Sequence, residues 1–182
     1  MVSRTEKSPE ELGADFAWDF QKLSINPIIK EAINSLEKKK RSWRFRTGIE
    51  ETSDEAVAKE WILFEIFLFG QAILEYFKGN DIGKRIVWSF HEALSNDMID
   101  NIFYSLEEFV ELLGQRYKYY LGVLKESEPN DSPLLYKRIL EKISGGEYNP
   151  FYLLSIQRYY FTKTFAYEKL VLEVIKEVHL VP

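Results

Sequence analysis

Apolar residues return along this chain at every third or fourth position, the spacing that gathers them on one side of a helix. The clearest run is Ile99, Ile102, Phe103, Leu106, Phe109, Val110 and Leu113, continued by Tyr117, Tyr120, Leu121 and Leu124, with Glu107, Glu111, Gln115 and Lys118 opposite. No stretch alternates apolar and polar residues between hairpin turns, so there is no case for a sheet. The fold class this predicts is all-α.

The helix starts are written in the prolines. Ser8-Pro9, Asn26-Pro27, Ser132-Pro133 and Asn149-Pro150 each place a capping side chain before a proline at the first helical position, where the missing N–H costs nothing. Thr52 with Glu55 forms a capping box, and further starts follow Asn80-Asp81 and Ser95-Asn96-Asp97. These signals predict helices over 9–23, 27–43, 53–78, 82–95, 97–125, 133–144 and 150–178. Gly79 and the Gly145-Gly146 pair act as stops. Short turns between long helices favour antiparallel neighbours, so residues 1–182 are expected to form one domain, an antiparallel bundle of about six to seven helices. Residues 1–25 are expected as a more loosely attached N-terminal helix.

Two helices carry more apolar surface than a single contact needs. Trp61, Ile62, Phe67, Leu68 and Phe69 nearly encircle the segment 53–78, which is therefore the expected central helix. The last helix has Ile156, Tyr160, Tyr167, Val171 and Val174 on one side and Leu154, Phe161, Phe165 and Leu172 on another. That second patch calls for a cover, either the N-terminal helices or a second copy of the chain. In QRYKYY, Tyr117 and Tyr120 are expected inward; in QRYYF, Tyr160 is expected inward and Tyr159 outward.

Composition narrows the field. The chain has 182 residues, enough for one full-sized core, and its 13 Phe, 11 Tyr and 4 Trp make that core aromatic. It has no cysteine, which removes disulfides and thiolate chemistry and fits a reducing compartment. The opening MVSRTEKSPEELGADF lacks the apolar run of a secretory signal, so a cytoplasmic location is expected. The most apolar segment, 61–77, is short for a bilayer span and carries Glu65, Gln71 and Glu75, so no membrane span is expected.

Few residues offer chemistry. Glu65 sits among Trp61, Ile62, Leu68, Phe69 and Ala72, which predicts a dehydrated carboxyl, either protonated or paired with a buried cation. Two readings follow: a small apolar ligand held by Trp61, Leu68 and Phe69 and oriented by Glu65, with His91 and Arg116 as further contacts, or a structural hydrogen bond to Tyr, Trp or Arg116. There are two histidines, His91 and His179, which excludes a multi-histidine metal site, and the paired Glu-x-x-His repeats of di-iron bundles are missing. Gly83-Lys84 lacks the rest of a phosphate loop, and neither Ser89 nor Ser105 stands in a nucleophile elbow. The expectation is a protein with no metal, no cofactor and no catalytic residues.

The total charge of −5 conceals one basic stretch, Lys38, Lys39, Lys40, Arg41, Trp43, Arg44 and Arg46. Its first half suits the carbonyl end of a helix. Its second half alternates arginine with Trp43 and Phe45, a mixture that holds single-stranded nucleic acid or other polyanions, or that buries the aromatics and leaves the arginines in water. The leading functional expectation is a non-catalytic protein acting by self-association or contact with another protein. Binding of nucleic acid or another polyanion at 38–46 and binding of a ligand beside Glu65 are the alternatives.

Overall fold

The fold was obtained as a computed structural model and is described for residues 5–26, 54–98, 103, 105–126, 137–138, 141 and 151–181. Among these residues there are five α-helices: α1 (Pro9–Phe20), α2 (Asp54–Tyr76), α3 (Asp81–Met98), α4 (Leu106–Glu126) and α5 (Phe151–Lys176). A π-helical turn, Gln21–Ile25, continues α1. The described residues are all-α apart from a pair of three-residue strands, β1 (Thr5–Lys7) and β2 (Val178–Leu180).

Helix α1 starts as its sequence dictates. Glu11 N–H donates to Ser8 Oγ at 3.2 Å and Ser8 N–H donates to Glu11 Oε2 at 2.8 Å, a reciprocal cap with Pro9 behind it. Leu12, Phe16 and Phe20 of α1 are fully buried, and the main contact of this helix is with α3. The two backbones meet at Gly13, where an added Cβ would stand 2.6 Å from the Ile86 carbonyl oxygen and 2.9 Å from Phe90 N. Only a glycine permits that approach.

Two boundaries differ from the sequence reading. Helix α3 runs through Ser95-Asn96-Asp97 instead of ending there, because Ser95 Oγ donates back to the Glu92 carbonyl at 2.7 Å and so does not cap a new helix. The cap of α4 is Ser105, whose Oγ accepts from Glu108 N–H at 3.1 Å; Ser105-Leu106-Glu107-Glu108 has the capping-box pattern. At the other end, α5 stops at Lys176 and the chain extends into β2, which pairs parallel with β1, Thr5 opposite Val178 and Lys7 opposite Leu180. Three-residue strands are too short to leave an alternation signature, which is why the sequence showed no case for them.

Helix α2 lies at the centre. Every residue from Trp61 to Gly70 is buried, and α2 packs against α3, α4, α5 and the π-helical turn. One aromatic cluster joins four helices: Phe69 of α2 lies 5.6 Å from Phe16, 5.1 Å from Phe20, 5.1 Å from Phe90 and 5.1 Å from Tyr167 between ring centroids. A second ties α2 to α4, with Phe67 at 5.2 Å from Tyr117 and 5.1 Å from Tyr120. The turn after α2 uses left-handed backbone at Lys78 (φ 51°) and Gly79 (φ 63°), and Asn80 then caps α3 by accepting from Gly83 N–H at 2.8 Å. Among the described residues, no helix is long and apolar enough to cross a membrane.

Candidate functional site

Glu65 occupies the middle of the buried run of α2, with no solvent exposure. Two elements reach it. From α5, the Tyr159 phenol donates to Glu65 Oε1, and Lys163 Nζ stands 3.4 Å from Oε2, a contact held by charge and too long for a strong hydrogen bond. From the π-helical turn comes Ser24, 1% exposed, whose Oγ accepts from Lys163 Nζ at 3.2 Å and lies 2.6 Å from the Tyr167 hydroxyl. The Lys163 ammonium also lies over the faces of Tyr159 and Tyr167, at 5.5 and 5.6 Å from the ring centroids. Trp61 closes one side, edge-on to Tyr159 at 5.0 Å.

The electrostatics follow from the burial. Removing the Glu65 carboxyl from water favours its neutral form and lifts its pKa above the usual 4.5; the Lys163 charge, the Tyr159 hydrogen bond and Ser24 pull the other way without cancelling that lift. Lys163 keeps about a quarter of its side chain exposed, so the ammonium stands at the edge of the core with its tip turned inward. Lys163 Nζ donates to Ser24 Oγ, and Ser24 is sealed from solvent.

The other candidates fall elsewhere. Leu68 and Phe69 are buried on α2, Phe69 reaching the cluster through its contact with Tyr167. Arg116 does not approach Glu65. It forms a two-pronged pair with Glu60 through Nε, at 2.7 Å, and Nη2, and that hydrogen bonding raises its pKa further. His91 meets α4, its Nε2 lying 2.8 Å from the Tyr117 hydroxyl, which donates to the Ile66 carbonyl at 3.3 Å. The 2.8 Å separation makes the imidazole and the phenol hydrogen-bond partners. Burial lowers the His91 pKa to about 4, so the ring is neutral at physiological pH. The Tyr117 hydroxyl lies against Gly70, where a larger residue would collide with it.

The basic stretch Lys38, Lys39, Lys40, Arg41, Trp43, Arg44 and Arg46 lies outside the described residues. Among the described residues, no group of three or more His, Asp or Glu side chains is placed to hold a metal ion.

Lys163, Ser24 and Tyr159 are the members of the cluster that the sequence reading did not single out, and Tyr159 was expected outward. The signal was available: Tyr159, Lys163 and Tyr167 recur at intervals of four, one stripe of α5 with a cation between two phenols. Opposite that stripe, Phe161, Phe165 and Leu172 are 57%, 70% and 43% exposed. No protein-family profile matches the chain, and no match stands out among curated proteins or solved structures.

Proposed function

We propose that this chain is a non-catalytic, cytoplasmic helical protein that works by associating with a second copy of itself through the outer face of α5. One observation carries the reading: Phe165, at 70% exposure, and Leu172, at 43%, project from the side of α5 turned away from α2. Glu168 and Lys169 flank this stripe on opposite sides at nearly the same height. Two copies with their α5 helices side by side and pointing the same way therefore set unlike charges against each other across a two-fold axis. The Glu65 carboxyl supports the non-catalytic half, since it is fully buried and faces Tyr159 and Lys163 of the same chain. In this reading the whole chain, 1–182, folds as one antiparallel bundle of six to seven helices.

Sedimentation equilibrium across the micromolar range tests it. The chain should shift from monomer to dimer with concentration, and Phe165→Asp should weaken the dimer by at least about tenfold with little effect on melting temperature. A wild-type chain that stays monomeric throughout, or a Phe165→Asp variant that dimerises as well as the parent, removes the proposal.

A further inference from the structure

Helix α5 has a broad inner apolar face and a narrower outer one. Its inner face presents Tyr167 (3% exposed) and Val171 (fully buried) to the core; its outer face presents Phe165 and Leu172. Hydrophobic burial favours the broader inner face, to which Tyr159, Tyr160, Leu170 and Val174 also belong, but it is non-directional and does not fix the exact rotation. The polar contacts of Lys163 are what add direction to that preference. Lys163 lies about 160° round the helix from Phe165, by the helix repeat alone. Turning Phe165 into the core would carry Lys163 out to water and leave the fully buried Glu65 without its cation.

We infer that the Glu65–Lys163 pair, with Ser24 as its second acceptor, is the register key of α5: it fixes the rotation of the helix on α2 and so decides which apolar face is presented. The contact geometry makes the key selective. Tyr159 donates to one carboxylate oxygen, Lys163 stands 3.4 Å from the other, and the same ammonium donates to Ser24 at 3.2 Å, so three segments agree on a single rotation. Replacing a buried ion pair by apolar groups of similar size often leaves stability intact, so the pair's directional role can be tested apart from its contribution to stability. Glu65 and Lys163 are thus positioning residues, and the inference stands whether or not the chain dimerises.

The chain contains no cysteine, so single thiols report directly on which face is out. Phe165→Cys, Val171→Cys and, as a reference in α3, Leu94→Cys are each placed in the parent and in the Glu65→Leu/Lys163→Met double variant, and their alkylation rates are compared at a concentration where sedimentation shows only monomer. In the parent, the thiol at 165 should react about a hundredfold faster than those at 171 and 94. In the double variant the contrast between 165 and 171 should shrink to within about tenfold, with position 94 still protected and the helical circular-dichroism signal unchanged. Three results overturn the inference: an unchanged contrast between 165 and 171, loss of protection at 94 together with 171, or loss of the helical signal. The first means that packing sets the rotation; the others mean that the pair holds up the fold as a whole.

Discussion

Lys163 Nζ stands 3.4 Å from Glu65 Oε2, joining a lysine at the edge of the core to a carboxyl that is wholly inside it. The asymmetry has an energetic meaning. Lys163 can recover water by a small movement, whereas Glu65 has no such escape, so losing the lysine costs more than losing the acid.

Lys163→Met should therefore destabilise the fold by about 3 kcal/mol near neutral pH. Burial lifts the Glu65 pKa above 4.5, so the folded state binds the proton more tightly than the unfolded chain. That preference stabilises the fold fully below the ordinary carboxylate value and is lost as pH rises through the raised one. Without the Lys163 charge the rise is larger, so the loss in Lys163→Met should be greatest near neutrality and shrink towards pH 4.5. Urea unfolding at both pH values measures it, and an equal loss at each would contradict the account.

His91 acts with the opposite sign. Burial depresses its pKa from 6.5 to about 4, so its contribution is fully present above the ordinary histidine value and is lost as pH falls from there through about 4. The full loss amounts to roughly 3 kcal/mol. Proton NMR of the imidazole should show a midpoint near 4; a midpoint near 6.5 would mean that the ring is hydrated and that its contact with Tyr117 does not persist.

Two glycines should respond in opposite directions to the same change. Gly13→Ala forces a Cβ against the α3 backbone at Ile86 and Phe90, which cannot yield as a side-chain tip can, and should cost about 2 kcal/mol net of the better helix propensity. Gly114 lies within α4 with nothing within 4 Å of its would-be Cβ, so Gly114→Ala should gain about 1 kcal/mol. Melting temperatures of the two variants decide it, and a shift of the same sign in both would refute the close α1–α3 approach.

Much of this architecture is legible locally. Ser8-Pro9 with Glu11 marks the start of α1 because capping is a matter of four adjacent residues, and the Gly79 stop and Asn80 cap follow by the same logic. The burial of α2 was visible because its apolar residues leave little room for a polar face, and the dehydration of Glu65 came with it. The partner of Glu65 was not visible. Arg116 and Lys163 are both cations far away in the sequence, and only packing shows that Arg116 turns to Glu60 while Lys163 turns to Glu65.

The sequence by itself determined the helical class, the greasy central helix and the carboxyl buried within it, because propensity, capping and amphipathic period are properties of neighbouring residues. Tertiary structure alone decided which face of α5 turns inward, which cation answers Glu65, that Ser24 joins them, and that the short segments β1 and β2 meet. Those choices depend on distances between residues remote along the chain, and such distances exist only once the helices have packed.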